Sequence, residues 1–247
     1  MLPKVKRIVD LGHEMWNGMP NLGANVAAFW PQETHELTRM LSKGRVSYTS
    51  RMVLVNEHIA THLDVPVHFY EQGDTVEKIP LSKLILPGHL LDLTHRGPGE
   101  AITIDDFKKA AEKTGRPIGP GTAVIAWTGA DKVWSQEGFV SERPYVPVET
   151  GQWLIDQKID LFCTDLIGMD ITEVHLPPDA SPEDKEEAAG FFWPFHVLML
   201  TAGICCVQQL CNLDQLVGEE FLLVVLPLKM REGTGSPVRP VALVFES

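Results

Sequence analysis

HIATHLDVPVH, residues 58–68, places three histidines and one aspartate within eleven positions. Imidazole and carboxylate groups are common metal ligands, and a metal site needs several of their lone pairs to converge on one point. His58, His62, Asp64 and His68 all occupy even positions, so an extended strand would place them on one face. Ten residues of strand span about 33 Å, however. A straight strand therefore cannot bring His58 and His68 to one ion.

The segment is instead expected to bend between the first two histidines, with a tight turn at Ile59–Ala60–Thr61. A helix would align His58 with His62 but would turn Asp64 away, and the proline at position 66 argues against further helix. The bend allows Asp64 to join both histidines. An isolated buried histidine is usually only a hydrogen-bonded core residue, whereas this density favours a metal site. The donor set suits Mn, Zn or Fe better than calcium.

The whole chain has the composition of an ordinary globular protein and excludes several classes of partner. It has 247 residues, of which 44% are hydrophobic and 22% charged, and a net charge of −12. Without a lysine and arginine cluster, such a chain repels nucleic acid. Its longest apolar run, residues 221–228, is too short to span a membrane. The first 14 residues lack an apolar export signal. The four cysteines, which form no CxxC motif, indicate reduced, buried thiols. We therefore expect a cytoplasmic protein.

The hydrophobic pattern predicts one α/β domain, residues 1–247, with a mixed β-sheet core and peripheral helices. Helices are expected at 104–114, where Thr103 and Asp106 can cap the start and Gly115 the end, and at 150–158 and 194–202. The predicted strands are 5–11, 45–55, 88–94, 122–127, 160–165, 221–226 and 237–245.

The most charged segment is DASPEDKEEAAG, residues 179–190. Ser181 offers an N-cap oxygen, Pro182 suits the first helical position, and carboxylates follow in the first turn. These features predict a solvated surface helix, and a lid over a site is the alternative.

HIATHLDVPVHF resembles the H-x-G-T-H-x-D-x-P-x-H-F signature of the metal-dependent cyclase-like hydrolases, which include kynurenine formamidase and isatin hydrolase. The resemblance extends in the expected order to the segments 8–20, 160–170, 195–216 and 226–243. It implies a swivelling β/β/α fold. It also implies that His58, His62 and Asp64 are metal ligands, and that His68 is a general base or a ligand of a second metal.

Two further positions follow from the resemblance. His196 matches a histidine near the start of a late helix, with a catalytic role. Gln208 falls where the formamidases have a metal-binding glutamate. Isatin hydrolase also has a glutamine at this place. The neutral amide cannot balance a second dication, so one ion is expected, Mn²⁺ ahead of Zn²⁺. The alternatives are that Gln209 faces the site, or that neither glutamine does.

The motif departs from the signature at one further position, where Ala60 replaces a glycine. The turn must then be one that alanine can adopt, or it must be mildly strained.

A divalent ion with an open position lowers the pKa of bound water to about 7 and polarises a carbonyl. We therefore expect an amidohydrolase that opens a cyclic amide, isatin to isatinate being the nearest precedent within the family. The alternatives are hydrolysis of N-formylkynurenine, cyclisation of an aromatic polyketide, and metal binding without catalysis.

Aromatic residues flank the motifs and could form a slot for a small aromatic amide or lactam. They are Phe29, Trp30, Phe69, Phe192, Trp193 and Phe195, with Trp30 in an expected loop of small residues, GANVAAFWP. Most aromatic residues in such positions are ordinary core. The resemblance also implies a homodimer or higher homo-oligomer.

Overall fold

The computed structural model describes residues 4–19, 25–136, 138–172, 181–182, 185 and 193–246. Within these residues, nine strands form one mixed sheet and two more form a separate antiparallel hairpin. The nine strands are β1 (Val5–Asp10), β4 (His62–Asp64), β5 (Ile85–Asp92), β6 (Ala123–Trp127), β7 (Leu161–Thr164), β8 (Cys205–Gln208), β9 (Phe221–Val224), β10 (Gly235–Pro237) and β11 (Val241–Phe245). The hairpin pairs β2 (Ala27–Glu33) with β3 (Ser50–Val55).

The sheet has the order β1-β11-β9-β5-β6-β7-β8-β4-β10. Neighbouring strands from β5 to β8 are parallel, and the remaining pairs are antiparallel. Central parallel strands are covered on both faces, which explains why β6 and β7 read as continuous apolar runs. The predicted α/β fold with a mixed sheet is confirmed.

In the described part of the chain, three helices cover one face of the sheet: α2 (Ile104–Lys113), α3 (Val148–Asp156) and α4 (Pro194–Thr201). Their apolar residues join one core cluster with the inner residues of the central strands, among them Phe107, Leu154 and Phe195. The opposite face is covered by loop segments through residues such as Val76, Leu213 and Leu216.

The three predicted helices are confirmed, with boundaries shifted by at most two residues at either end. Thr103 and Asp106 form the expected capping box at the start of α2, and Gly115 adopts a left-handed φ of 65° just beyond its end. One helix, α1 (His35–Leu41), was not expected from the sequence.

Several strand assignments from the sequence were wrong. The expected loop GANVAAFWP contains β2, because residues 27–33 pair with β3, and the strand expected at 45–55 begins only at Ser50. The single strand expected at 237–245 is two strands, β10 beside β4 and β11 between β1 and β9. Pro240 stands between them and lacks the N–H that would continue a ladder. The strands β4 and β8 were missed.

The acidic segment 179–190 lies mostly outside the described residues. Of those described, Pro182 and Lys185 are helical, and the N–H of Lys185 donates to the carbonyl oxygen of Ser181 at 3.0 Å. Among the described helices, none has the length and apolar character needed to cross a bilayer.

Candidate metal and catalytic site

The predicted bend between His58 and His62 is confirmed. Residues 57–61 form a turn and bend that lead directly into β4. Ala60 adopts a φ of 54°, in the left-handed region that favours glycine, and both Ile59 and Ala60 are buried. Of the two alternatives for the position that is glycine in the signature, a turn that alanine adopts freely or a mildly strained one, the left-handed φ favours the strained turn.

Strand β4 lies between β8 and β10, and this pairing determines which side chains face the site. His62 pairs with Gln208, and Asp64 pairs with Cys206. Residues two apart on a strand share a face, so His62 and Asp64 point to the same side, beside Gln208. Both side chains are buried.

The four motif residues meet around the carboxylate of Asp64. The Nδ1 atom of His58 lies 2.6 Å from Asp64 Oδ1, and the Nε2 atom of His62 lies 3.3 Å from the same oxygen. One donor atom each from His58, Asp64 and His68 lie within 4.8 Å of one another. The His68 ring stacks on the His58 ring, with centroids 3.7 Å apart and an interplanar angle of 17°.

The electrostatic environment keeps Asp64 ionised and His68 neutral. Burial alone would raise the pKa of Asp64, but the neighbouring His62 and His58 side chains outweigh burial and hold the pKa well below its usual range. Burial lowers the pKa of His68 to about 4, although the Asp64 carboxylate opposes this shift. At neutral pH, one ring nitrogen of His68 thus offers a lone pair to a metal or to a proton.

The chemistry of these donors fits a divalent cation. His62 Nδ1 lies 2.7 Å from the carbonyl oxygen of Ala60, which can only accept, so Nδ1 carries the proton. In the neutral ring, Nε2 then presents a lone pair toward the ionised Asp64. A divalent cation shared by these two atoms would remove their mutual repulsion. Imidazole nitrogen and carboxylate oxygen suit Mn²⁺ and Zn²⁺.

Gln208 faces the site, and Gln209 does not. The side-chain nitrogen of Gln208 donates to Asp64 Oδ2 at 2.5 Å and lies 2.9 Å from His196 Nε2. Its oxygen accepts from the N–H of Gly168 at 2.7 Å, so it is not turned toward the predicted ion. The arrangement differs from the expected oxygen ligand, because the Gly168 N–H fixes the orientation of the amide. Gln209 instead accepts a hydrogen bond from the indole of Trp134 at 3.0 Å.

His196, in the first turn of α4, is held by Asp170. Asp170 accepts hydrogen bonds from His196 Nδ1 and from the N–H of Phe195, the latter at 2.6 Å. Burial would lower the pKa of His196, but the charge of Asp170 and its hydrogen bond outweigh burial and raise it. With Nδ1 protonated toward Asp170, Nε2 accepts from the amide of Gln208. Held by Asp170, His196 is thus a buried imidazole of increased basicity that faces the metal-ligand cluster.

Asp170 was not predicted from the sequence. It lies 26 residues before His196, so no local spacing connects the two, although it ends the DLIGMD segment that resembles the family. Tertiary packing brings them together: Asp170 follows β7 in the chain and accepts the backbone N–H of Phe195 in the first turn of α4. Helix α4 in turn lies tightly against α3. A Cβ atom at Gly151 in α3 would be 3.0 Å from both Leu198 and Phe195 in α4.

Two of the six aromatic residues considered for the substrate slot lie at the site. The ring of Phe69 is 5.4 Å from that of His196, and the ring of Trp193 is 5.6 Å away on an edge contact. Phe29 packs against the cluster that contains Ile59 and Ala60. Trp30 is 45% exposed on the hairpin, and no ring contact among the described residues joins it to the histidines.

Of the remaining aromatic residues, Phe195 is an ordinary core residue. Phe192 lies outside the described part of the chain.

Comparison with known proteins gives concordant matches. A family model described as "Putative cyclase" matches residues 9–171. The isatin hydrolase of Roseibium aggregatum is 29% identical over 228 residues, which cover 86% of this chain and 81% of that protein. The kynurenine formamidase of Paracidovorax citrulli is 25% identical over 189 residues, or 76% of each chain. The crystal structure of an isatin hydrolase bound to the product analogue thioisatinate has a TM-score of 0.80, is 23% identical, and covers 98% of this chain and 94% of that chain.

Proposed function

The chain belongs to the cyclase family, and from this premise we propose that it is a metal-dependent hydrolase that opens a cyclic amide, with isatin as the leading substrate. The observation that carries the proposal is the buried Asp64 carboxylate with imidazole nitrogens of His58 and His62 beside the same oxygen. A cluster of donors of this kind is typical of a catalytic metal site. The similarity to isatin hydrolase supports the choice of substrate.

His58, His62 and Asp64 would hold one divalent ion, Mn²⁺ ahead of Zn²⁺, with His68 beside them. When bound, such an ion activates a water molecule and polarises the carbonyl of the substrate. Gln208 acts here as a hydrogen-bond donor that orients Asp64 and His196. Because it is neutral, the site has a single formal anion among its matched ligands, which favours one ion over two.

The proton transfers fall to the two remaining histidines. His68 is neutral at pH 7 and His196 has increased basicity, so each can accept the proton that water loses as its oxygen bonds to the amide carbon. As the C–N bond breaks, that proton passes to the leaving nitrogen. Hydrolysis thus yields a carboxylate and an amine. Asp170 keeps His196 oriented with Nε2 toward the site.

Hydrolysis of N-formylkynurenine is the second candidate, and the similarity to kynurenine formamidases favours it. A glutamine at position 208 distinguishes this chain from the formamidase pattern. Phe69 and Trp193, whose rings lie 5.4 Å and 5.6 Å from the His196 ring, suit a flat aromatic substrate of either kind. Cyclisation of an aromatic polyketide remains the third candidate.

The test is metal content by elemental analysis, followed by isatin turnover monitored by absorbance on the same sample. We expect about one Mn or Zn per chain, and the loss of both metal and turnover in His62→Ala. His95→Ala is the matched control, because His95 lies at the surface beside Asp106 and should leave both unchanged. Two ions per chain with turnover of formylkynurenine alone would favour the formamidase hypothesis, and a metal-free, inactive protein would reject the proposal.

We also propose that residues 1–247 act as one domain and that the protein is a cytoplasmic homodimer. All four cysteines are free and buried, as is typical of a reducing compartment. The segment from β2 to β3 exposes many large apolar side chains, including Met40, Leu41, Val53 and Leu54. Residues 33–51 contain four basic and two acidic residues, in a chain of net charge −12. An apolar, basic surface of this kind suits an acidic partner, and a second copy of this chain is one.

Light scattering on the purified protein tests the dimer. We expect twice the mass of one chain for the wild type and the mass of a single chain for Leu54→Glu, which places a carboxylate on the exposed face of β3. A monomeric wild type, or a variant that stays dimeric, would contradict this assembly.

A further inference from the structure

A chain of hydrogen bonds extends from His58 away from Asp64. The Nε2 atom of His58 lies 2.9 Å from the hydroxyl oxygen of Thr234, and that oxygen lies 2.5 Å from Glu57 Oε2. The same carboxylate oxygen accepts the backbone N–H of Thr234 at 2.9 Å. Glu57 and Thr234 are 177 residues apart in sequence, so the contact depends on the fold and not on the local turn.

The direction of these hydrogen bonds follows from what each group can donate. An ionised carboxylate only accepts, so the hydroxyl proton of Thr234 points to Glu57. The oxygen of Thr234 must then accept from His58, which places the ring proton on Nε2. In the neutral ring, Nδ1 is left with a lone pair that faces Asp64 Oδ1 at 2.6 Å.

The backbone of β10 holds the ring in this orientation. Gly235 pairs with Asp64 across the β4–β10 ladder, and Val65 donates its N–H to the carbonyl oxygen of Thr234 at 3.3 Å. A Cβ atom at Gly235 would lie 2.5 Å from His58 Cε1 and 2.8 Å from Nδ1. Only glycine therefore leaves room for the ring, and the strand that follows Thr234 packs directly against its edge.

We propose that Glu57 and Thr234 are positioning residues that fix the tautomer of His58, so that His58 presents Nδ1 to the divalent ion while His62 presents Nε2. This inference rests on the proposed metal site. Hydrogen-bond partners of this type orient metal-binding histidines, and their loss typically lowers metal affinity by about 10- to 100-fold. Without the Thr234 hydroxyl, the ring proton can move to Nδ1. There it would bond to Asp64 and compete with the ion.

Substitution of Thr234 gives a matched pair of variants. Thr234→Val removes the hydroxyl with little change in shape, and Thr234→Ser retains the hydroxyl. Zn²⁺ affinity is measured on chelator-stripped protein by competition with a chromophoric chelator, and thermal melting of the metal-free protein is recorded alongside. We expect the Kd of Thr234→Val to rise about 10- to 100-fold, and that of Thr234→Ser to stay within about threefold of the wild type. Both variants should melt close to the wild type without metal. Glu57→Gln, which keeps the shape of the carboxylate, should weaken Zn²⁺ binding in the same direction.

The tautomer itself is read from ¹⁵N spectra of histidine-labelled, Zn²⁺-loaded protein. We expect His58 to retain its proton on Nε2 and to bind Zn²⁺ through Nδ1, and the opposite assignment would overturn the inference. Wild-type affinity in both Thr234→Val and Glu57→Gln would also overturn it and would leave the proposed metal site intact. A wild-type protein that binds no Zn²⁺ would instead reject the metal site itself, and the inference with it.

Discussion

Replacing Gln208 with glutamate tests how closely this side chain approaches Asp64. The Gln208 amide now donates to Asp64 Oδ2 at 2.5 Å inside a buried site. Glutamate would put a second carboxylate at that distance, with no proton between the two oxygens. Gln208→Glu should therefore destabilise the metal-free protein at neutral pH and increase the stability that the protein gains from bound cations.

The size of the destabilisation is set by the smaller of two free-energy costs, that of keeping both carboxylates charged or that of protonating one of them. Two unit charges at the 2.5 Å separation repel by about 7 kcal/mol at an effective dielectric constant near 20. Binding one proton instead costs about 1.4 kcal/mol for each pH unit above the ordinary glutamate pKa of about 4.3, which gives about 4 kcal/mol at pH 7. Protonation therefore has the smaller free-energy cost. In the folded state the pKa of the introduced carboxyl group is then raised, so the cost is largest at neutral pH and falls to about 1 kcal/mol at pH 5.

Urea unfolding of chelator-stripped protein at pH 7 and pH 5 measures this difference directly. Gln152→Glu is the matched control, since the Gln152 amide is 2.9 Å from Asp156 but exposed on α3, where a like-charge pair costs only about 0.5 kcal/mol. Zn²⁺ should restore more stability to Gln208→Glu than to the wild type. A difference below about 1 kcal/mol at pH 7, or one that does not depend on pH, would refute the contact between Gln208 and Asp64.

Three further substitutions address the base, the turn and the helix cap at the start of α2. Asp170→Asn should lower kcat for isatin about 100-fold with little change in KM, because His196 loses the carboxylate that raises its pKa. Ala60→Gly should raise the free energy of unfolding by about 0.5 to 1 kcal/mol in urea, since alanine at a φ of 54° is strained. Asp106→Asn should cost about 2 kcal/mol at pH 7. Burial raises the pKa of Asp106, but the hydrogen bonds from Arg96 and Thr103 outweigh it and hold the pKa well below its usual range. The cost should therefore begin to decline as the pH falls below about 4 and should continue to decline as the pH approaches the lowered pKa of the folded state.

Each of these outcomes has a clear contrary result. Unchanged kcat in Asp170→Asn would remove His196 from the proton transfers. An Ala60→Gly protein less stable than the wild type would mean that the turn is relaxed. A cost for Asp106→Asn that persists unchanged in acid would place its origin in packing and not in the charge of the carboxylate.

The fold class and the motif residues were predictable because their signals are local. Apolar runs indicated the parallel strands β6 and β7, and the pairing of Thr103 with Asp106 indicated the start of α2. The bend at residues 59–61 followed from the reach of a straight strand. The meeting of His58, His62 and Asp64 required only that bend.

The contacts that complete the site could not be read from the sequence because they join distant segments. Asp170 reaches His196 only when the segment after β7 packs against the start of α4, and Gln208 is oriented by a backbone N–H at Gly168. The strands β4 and β8 are three and four residues long, too short for alternation to show. Their pairing, which places Gln208 beside Asp64, is a property of the whole sheet.

The most direct test of the account is calorimetric titration of Mn²⁺ into chelator-stripped wild type and Asp64→Asn, which keeps the shape of the side chain but removes its charge. We predict about one ion bound per wild-type chain, and affinity reduced at least about 100-fold in Asp64→Asn, because the carboxylate is the anion around which the imidazoles gather. Absence of binding in the wild type, or equal binding in both proteins, would contradict a metal centre at Asp64.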